Sequence, residues 1–380
     1  MVDAPDSGSG GCKAVRVRVP ASAYYFMKIR IGNVLKKLPA EIQAYIPIIK
    51  QTADELGTEV YLVGGPVRDL LLKRNHIDLD IMVKDDGIRF ATLLAGRTGR
   101  NLTVYRERLT ATVELPDNGH IDVATMRTET YDHPGVLPRV EATSDITRDL
   151  SRRDFTINAM AVQLNAGDQA ELIDPFNGHD DLTLSLIRFL HPRSFIDDPT
   201  RIYRAIRFEV RFGFKIEDHT LKALKTAVSG NALKTISGQR QVKEFNLYLR
   251  EPNPFLFINK AYELGAMAGI VSDHKALESI KKMFDKIMKE KNLNGENRRC
   301  LLFASLFLHH DTNEITNMAG HFGMTKKQRS TIIDTKLLMN ILREDPSRLN
   351  SIIKRYGDHA RMLAYIITDN KLLLPYISQQ

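Results

Sequence analysis

Short runs in which apolar and polar residues alternate mark the first third of the chain. Because successive side chains on a strand point to opposite faces, such runs predict strands. They lie at 78–83, twice within 102–115, and at 120–127, and an apolar run at 61–63 predicts one further strand. Apolar residues three and four apart predict helices at 39–57, 67–72 and 87–99. Mixed strands with helices on one side indicate a small α/β domain of about four or five strands.

The pattern changes after these strands. Residues 128–148 are polar, and Pro134, Gly135 and Pro138 interrupt any periodicity. We therefore predict a long loop, which in a compact domain is usually functional or mobile. From about residue 184 onward, helical periodicity predicts a remainder built wholly of helices. The strongly apolar stretch 298–310 is predicted to be a core helix.

Two glycines follow the first predicted strand, and two aspartates lie on the second. Asp78 and Asp80 are two positions apart, so their carboxylates share one face of the strand and repel each other. A divalent cation between them removes this repulsion, and Mg²⁺ prefers carboxylate and phosphate oxygens. Gly64 and Gly65 allow backbone N–H groups to approach a triphosphate, and Arg68 adds positive charge. Each feature alone is common in turns and exposed strands, but together they indicate metal-dependent nucleotidyl transfer.

Two further segments each allow two interpretations. Asp122, on a predicted strand, is either a third metal-binding carboxylate or an exposed acid. Arg152 and Arg153 are adjacent cations. They precede Asp154 and Asn158, which are one helical turn apart. This segment is either a charged surface turn that leads into a core helix, or a set of side chains that holds the triphosphate and sugar of a nucleotide.

The helix predicted at 196–214 has an arginine face. Asp198 is suited to cap it, and Pro199 suits its first turn. At about 100° per residue, four of its arginines fall within roughly a third of the circumference. They are Arg201, Arg204, Arg207 and Arg211. The alternative is the solvated face of an amphipathic helix. We favour an anionic ligand, because like charges with few acids beside them repel one another.

Composition narrows the class of protein. The 380 residues, 43% of them hydrophobic, suffice for about two or three domains with cores. The net charge of +8 suggests an anionic partner, and basic residues in 274–298 and 324–329 either contact an RNA backbone or form solvated faces. The two cysteines, Cys12 and Cys300, cannot form a disulfide framework or a zinc site. Without an apolar run of about 18 residues or a secretory signal, we expect a cytoplasmic protein with no membrane span.

Three motifs occur in order over about residues 40–265. Through them the chain resembles the class II tRNA nucleotidyltransferase and bacterial poly(A) polymerase family, within the DNA polymerase β-like superfamily. The motif Gly-Gly-x-Val-Arg-Asp followed by Asp-x-Asp corresponds to Gly64, Gly65, Val67, Arg68, Asp69, Asp78 and Asp80. The motif Arg-Arg-Asp-x-x-x-Asn corresponds to Arg152, Arg153, Asp154 and Asn158. The motif Glu-Asp-x-x-Arg with two further arginines corresponds to Asp197, Asp198, Arg201, Arg204 and Arg207, with Asp in place of the usual Glu.

The resemblance implies an α+β fold. A small polymerase-β-like nucleotidyltransferase head, with a mixed sheet and helices, would be followed by an all-helical neck, body and tail. We place a flexible N-terminal extension at 1–38 and the head at 39–183. The neck, which carries the template for the nucleotide base, is placed at 184–265. The tRNA-binding body and tail are placed at 266–380.

The resemblance also implies a role for each motif. Asp78 and Asp80 would hold Mg²⁺, and we add Asp122 as a candidate third catalytic carboxylate. Asp198 and Arg201 would read the incoming base. Both C and A offer an amino group to the aspartate and a ring nitrogen to the arginine, whereas U and G offer the reverse. The remaining nucleotide-binding residues would be Gly64, Gly65, Arg68, Arg152, Arg153, Asp154, Asn158, Arg204 and Arg207.

The function implied by the resemblance is template-independent addition of C, A or both, from CTP and ATP, to the 3′ end of tRNA. Mg²⁺ would be the cofactor, and pyrophosphate would be released. The alternatives are an enzyme that adds only A or only CC, a poly(A) polymerase, a small-molecule nucleotidyltransferase and a non-catalytic RNA-binding protein. The full length of 128–148 argues against a CC-only enzyme. A non-catalytic protein would be favoured by loss of a motif aspartate or arginine, and none is lost.

Overall fold

A computed structural model describes residues 38–74, 79–116, 119–166 and 171–377. A mixed seven-stranded sheet dominates the first half of these residues. The strands of this half are β1 (Val60–Val63), β2 (Leu79–Val83), β3 (Leu102–Tyr105), β4 (Thr110–Glu114), β5 (His120–Thr125), β6 (Arg127–Thr130), β7 (Arg139–Ala142), β8 (Ala161–Gln163) and β9 (Leu172–Ile173). The order across the sheet is β3-β4-β5-β2-β1-β8-β9, and β6 pairs with β7 as a separate hairpin.

The helix predicted at 39–57 is divided into α1 (Ala40–Gln43) and α2 (Ile46–Leu56). Pro47 lies in the first turn of α2, where its missing N–H is tolerated, but it cannot continue the hydrogen-bond ladder of α1. Gly57 ends α2 in the left-handed conformation, as predicted. The other two predicted helices are present as α3 (Gly65–Leu71) and α4 (Gly87–Thr98).

The centre of the sheet is covered on both faces. Leu62 and Ile81 belong to the main core, to which α2 and α4 contribute. Tyr61 and Met82 belong to a smaller apolar cluster that includes Leu150. Because neighbouring residues of a strand point to opposite faces, a strand covered on both sides is apolar throughout. This explains why β1 is a continuous apolar run and not an alternating one.

The sheet has seven strands, so the prediction of four or five is wrong. The strands β8 and β9 are three and two residues long, which is too short to show an alternating pattern. In addition, β8 lies in the segment for which a core helix was one interpretation. Only Thr156–Asn158 is helical there, as a single 3₁₀ turn. A short apolar run does not by its periodicity distinguish a buried strand from a buried helix.

The long loop predicted at 128–148 is also wrong. The hairpin of β6 and β7 occupies most of this segment, and α5 (Ile146–Ser151) follows it. The reason is that buried positions of the hairpin are charged. Glu129, whose side chain is 9% exposed, forms ion pairs with Arg127 and Arg152. A search for hydrophobic periodicity cannot detect a strand whose buried side chains are ion pairs.

The second half is helical, as predicted. Its helices are α6 (Gly178–Thr183), α7 (Ser194–Asp197), α8 (Thr200–Phe212), α9 (Asp218–Ser229), α10 (Gly238–Tyr248), α11 (Pro254–Glu263), α12 (His274–Lys289), α13 (Gly295–Ser305), α14 (Thr312–Phe322), α15 (Lys326–Glu344), α16 (Leu349–Ile352) and α17 (Asp358–Thr368). The exception is a parallel pair of two-residue strands, β10 (Leu186–Ile187) and β11 (Lys215–Ile216). None of the helices within the described ranges is long and apolar enough to cross a membrane.

Helix α8 connects the sheet to the helical half. It buries Ile202, Tyr203 and Ile206 on the side opposite its arginines. Phe208 packs edge-on against Phe155, which lies before β8, with ring centroids 5.8 Å apart. Packing on two sides thus fixes the position of α8 and of the backbone that carries its arginines. The boundaries proposed at 183 and 265 stay predictions.

Candidate active site

A cleft of about 370 Å³ lies between the sheet and α8. All residues predicted to bind nucleotide line this cleft, and so does Asp80. The lining residues are Gly64, Gly65, Arg68, Asp80, Glu129, Tyr131, Arg152, Arg153, Asp154, Asn158, Asp198, Arg201, Arg204, Arg207 and Phe208. Three segments that are far apart in sequence therefore converge on one space.

Asp80 and Asp122 lie side by side on parallel strands. They are direct partners in the register of β2 and β5, so their side chains share a face of the sheet. Both border a second depression of about 380 Å³, which shares Asp80 and Arg153 with the cleft. The Thr112 hydroxyl donates to Asp122 Oδ1 (2.6 Å) and fixes that oxygen. Asp78 lies outside the described residues.

The Asp80–Asp122 pair fits Mg²⁺ in its chemistry. Carboxylate oxygens are ligands that Mg²⁺ prefers, and this ion usually keeps other positions for water and phosphate oxygens. The side chain of Asp122 is 49% exposed, so it is accessible to an ion and a triphosphate. Within the described ranges, no three His, Cys, Asp or Glu side chains are grouped to hold a metal. The described part of the site therefore offers two carboxylates.

Gly64 occupies a position that only glycine fits. Its φ is +70°, and a Cβ atom there would lie 2.7 Å from Nη1 of Arg153. Its N–H donates to Met160 O (3.1 Å), so this N–H is already used. Gly64 therefore contributes to the site by leaving room for Arg153 beside the end of β1.

Arg68 is 5% exposed and ties α3 to its surroundings. Its Nε and Nη2 donate to the carboxylate of Asp69, at 2.9 Å each, and Nη1 donates to Asn158. The guanidinium also lies over the rings of Phe212 (4.8 Å) and Phe208 (5.3 Å) of α8. Most of its donors are thus committed to the protein, although it borders the cleft.

Arg152 and Arg153 share the buried carboxylate of Asp149. Burial alone raises the pKa of Asp149, but the two guanidinium groups outweigh it and lower the pKa below its usual value. Arg152 also pairs with Glu129 (2.7 Å). Arg153 makes one hydrogen bond to Asp149, and its Nε is buried without a partner among the described residues. Arg153 is therefore the less committed of the two cations.

Asp154 is buried against α8. Arg204 donates to its Oδ2 from Nε (2.7 Å), and Asn158 donates to its Oδ1 (2.9 Å). Burial raises the pKa of Asp154, but Arg204 and Asn158 outweigh burial and lower the pKa to about 2. The pair of Asp154 and Arg204 thus connects the segment before β8 to α8 beneath the cleft.

Asp198 and Arg201 border the cleft at the start of α8. Oδ1 of Asp198 accepts from the N–H (3.1 Å) and the hydroxyl (2.6 Å) of Thr200, the first residue of α8. The N-cap of α8 is Pro199, so the helix begins one residue later than the predicted cap at Asp198 requires.

Arg201 is 4% exposed and donates to Ser194 Oγ (2.7 Å) and to the carbonyl oxygen of Arg152 (2.6 Å). Nη1 also lies 3.4 Å from Nε2 of His191. These contacts fix the guanidinium in place, and its remaining N–H groups are the candidates to contact a base.

The predicted arginine face of α8 is divided. Arg207 lines the cleft, and its Nε is buried without a partner in the described chain. Burial and the neighbouring Arg204 lower the pKa of Arg207. Arg211 is exposed instead, lies 3.9 Å from Glu251, and is not part of the cleft lining.

Four residues at the site were not found from the sequence. Glu129 and Tyr131 lie in the segment that was taken for a loop, and Arg240 of α10 carried no motif. Phe208 could have been identified from the sequence, since it follows Arg204 by one helical turn. In the structure its ring makes cation–π contacts with Arg204, Arg207 and Arg68.

The sequence matches two known domain profiles. The poly A polymerase head domain matches residues 60–188. The probable RNA and SrmB-binding site of polymerase A matches residues 213–278. The first range contains the sheet, and the second covers much of the helical segment that follows α8.

Curated relatives are named for tRNA or for CCA. An A-adding tRNA nucleotidyltransferase of Geobacter sulfurreducens is 42% identical over 254 residues, which is 67% of this chain and 29% of that protein. An enzyme of the same name from Aquifex aeolicus is 46% identical, over 53% of this chain and 24% of that protein. A multifunctional CCA protein of Pseudomonas aeruginosa is 33% identical, over 58% and 52%. The matched regions thus span about a quarter to a half of the length of these relatives.

Solved structures extend the likeness over nearly the whole chain. An apo form of a CCA-adding enzyme has a TM-score of 0.72 and 30% identity, and the match covers 92% of this chain and 83% of that one. A CCA-adding enzyme with ATP has a TM-score of 0.74 and 28% identity, with coverage of 91% and 84%. The Thermotoga maritima CCA-adding enzyme complexed with tRNA has a TM-score of 0.68, 28% identity, and coverage of 92% and 82%. These matches confirm the resemblance carried by the three motifs, and the chain belongs to the tRNA nucleotidyltransferase and poly(A) polymerase family.

Proposed function

We propose that the protein is a template-independent nucleotidyltransferase that adds C, A or both, from CTP and ATP, to the 3′ end of tRNA. The observation that carries the proposal is that one cleft is lined both by Asp80 of β2 and by Asp198 and Arg201 at the start of α8. A carboxylate for phosphoryl chemistry and a pair suited to a base edge thus border one space that suits a nucleotide. The relatives named for tRNA favour tRNA as the acceptor.

The reaction joins the 3′-hydroxyl oxygen of the RNA to the α-phosphorus of the nucleotide, and the hydroxyl proton is lost to water. Pyrophosphate leaves with the electrons of the broken P–O bond. Asp78, Asp80 and Asp122 are the proposed ligands of Mg²⁺. When bound, this ion neutralises triphosphate charge and polarises the attacking hydroxyl. We assign the phosphates to Arg153 and Arg207, because each borders the cleft and has a buried nitrogen without a partner in the described chain.

Base selection is assigned to Asp198 and Arg201. The 4-amino group of C and the 6-amino group of A both donate, and Asp198 accepts. Arg201 donates to N3 and O2 of C, or to N1 of A. U and G present a carbonyl to the aspartate and an N–H to the arginine. An unpaired charge buried against a base costs roughly 2 kcal/mol or more, so both bases are rejected.

A narrower alternative is addition of A alone. The relatives with 42% and 46% identity are A-adding enzymes, whereas the multifunctional CCA protein is 33% identical. These identities, each over part of the chain, keep this alternative beside complete CCA addition. The two activities differ in whether CTP is used at all.

The decisive experiment combines the purified protein with Mg²⁺, labelled CTP or ATP, and tRNA acceptors that end before CCA, after one C, or after CC. Incorporation of C followed by A supports complete CCA addition. Incorporation of A alone, on the acceptor that ends in CC, supports the narrower alternative. If neither nucleotide is incorporated into these acceptors or into generic RNA, the proposal is wrong.

A further inference from the structure

Arg240 of α10 connects two parts of the site that are far apart in sequence. Its Nη2 donates to Oδ1 of Asp198 (2.8 Å), and its Nη1 donates to the carbonyl oxygen of Gly135 (2.6 Å). The side chains of Arg240 and Asp198 are 23% and 21% exposed. One planar guanidinium thus contacts the base-reading carboxylate and the tip of the β6–β7 hairpin at the same time.

The contact with Arg240 determines how Asp198 presents its two oxygens. Oδ1 accepts from Arg240 and also from the N–H and hydroxyl of Thr200. Within the described chain, all hydrogen bonds to the side chain of Asp198 go to Oδ1. Oδ2 is therefore the oxygen with lone pairs left for the amino group of a base. Charge-assisted bonds on one oxygen hold the carboxylate in one orientation.

The hairpin tip is seated closely against the helical half. Gly135 has a φ of +75°, and a Cβ atom on it would lie 2.2 Å from Thr235 Oγ1 and 2.7 Å from Thr235 O. Its N–H donates to the carbonyl oxygen of Asp197 (3.2 Å). Only glycine can adopt this conformation in this space. The carbonyl oxygen of Gly135, which accepts from Arg240, is thus positioned by a packing contact with Thr235 that leaves no room for a side chain.

We propose that Arg240 is a positioning residue for base selection. It orients Asp198 so that Oδ2 meets the amino group of C or A, and it makes this orientation depend on the seating of the hairpin tip. The inference rests on the proposed function. If the hairpin tip leaves Thr235, Arg240 loses one partner and Asp198 is held less firmly. Rejection of G and U is then weakened before the chemical step is affected.

The test compares wild type with Arg240→Met, which keeps side-chain length and removes all donors, and with Gly135→Ala, which displaces the tip but keeps Arg240. Arg250→Met is the matched control, because Arg250 is exposed just after the end of α10. The measured quantity is kcat/KM for each of ATP, CTP, GTP and UTP on one tRNA acceptor. Thermal unfolding of each variant shows whether it is folded.

We expect Arg240→Met to lower the preference for the correct nucleotide over GTP and UTP by roughly 10- to 100-fold. Gly135→Ala should change it in the same direction, and Arg250→Met should not change it. If Arg240→Met is poorly folded, Gly135→Ala decides the test. If folded variants lose rate equally for all four nucleotides, Arg240 is only structural and the inference is wrong. If wild type incorporates no nucleotide, the proposed function itself is wrong, and this is seen before any variant is compared.

Discussion

Asp122 is an exposed strand acid in one interpretation and a catalytic carboxylate in the other. Asp122 is paired with Asp80 in the register of β5 and β2, which favours the second interpretation. We predict that Asp122→Asn lowers nucleotide transfer by roughly 100-fold or more, because an amide cannot replace a charged oxygen ligand. Nucleotide binding in the cleft should persist, since the cleft lining does not include Asp122. Transfer is measured in a single turnover with a tRNA acceptor, and ATP binding is measured by equilibrium titration.

Glu114→Gln is the matched control for this change. Glu114 is an exposed acid on the neighbouring strand β4, where it contacts Asn101. It should keep wild-type transfer. Wild-type transfer by Asp122→Asn as well would show that Asp122 is an ordinary surface acid.

Asp154 makes stability depend on pH. Because its pKa falls from an ordinary 3.8 to about 2 in the folded protein, its contribution to stability is complete above pH 4. That contribution, about 2 kcal/mol, is lost as the pH falls towards 2. We predict that Asp154→Asn lowers the apparent melting temperature at pH 7, since the half-buried Arg204 loses its ion-pair partner. The gap to wild type should narrow below pH 4.

Melting curves recorded between pH 3 and pH 7 test this prediction. Asp218→Asn serves as the control, because Asp218 is a carboxylate with a 79% exposed side chain. It should follow wild type at every pH. A gap between Asp154→Asn and wild type that stays constant down to pH 3 would contradict the assigned linkage.

At the scale of the element, α8 carries arginines of two kinds. Arg207 faces the cleft with a buried, unpartnered Nε among the described residues, whereas Arg211 is exposed near Glu251. We predict that Arg207→Gln weakens ATP and CTP binding about tenfold through loss of a charge-assisted contact. Arg211→Gln, the same change one helical turn later, should bind as wild type does. Equal losses of nucleotide affinity in both variants would mean that the arginines of this face attract the nucleotide through their combined charge. Arg207 would then make no specific contact with a phosphate.

The elements that could be predicted from the sequence are those with a hydrophobic pattern of sufficient length. The five strands from β1 to β5 and the helices α3 and α4 were found in this way. The hairpin of β6 and β7 was not, because it buries Glu129 in ion pairs where a core strand would bury apolar groups. The short β8 was not found either, because three residues carry no period.

The candidate site was predictable to the extent that motifs mark it. The structure brings the predicted nucleotide-binding residues to one cleft, yet several of them bind mainly to each other. Arg68 and Asp154 illustrate this, since their partners are Asp69 and Arg204. Arg240 could not have been found, because its importance comes from two contacts across the fold. A sequence pattern identifies residue types, and the structure shows which of their donors are already in use.

At the scale of the whole molecule, the helical half is the candidate RNA-binding surface, and its basic residues are not equivalent. Lys286 of α12 donates to the carbonyl oxygen of Ile367 (2.7 Å) and to Asp369 (2.6 Å), so it fastens α12 to the end of α17. Lys326 and Lys327 are exposed in the first turn of α15. The positive end of a helix disfavours cations there, so helix stability does not explain these lysines. We therefore take these two lysines as candidate contacts for an RNA backbone.

We predict that Lys326→Gln with Lys327→Gln weakens tRNA binding and lowers the slope of log K against log salt by about 1 to 2, because each lost phosphate contact removes counterion release. The matched control is Lys354→Gln with Lys371→Gln, two exposed lysines outside the segment that matches the RNA-binding profile. Binding is measured at several salt concentrations with a tRNA that lacks its 3′ end, and nucleotide affinity is measured in parallel. Since both lysine pairs change the net charge equally, a purely general attraction would lower the slope equally in the two variants. A larger change at α15, with nucleotide affinity unchanged, would place the RNA backbone along this helix and separate acceptor binding from the chemistry at Asp80.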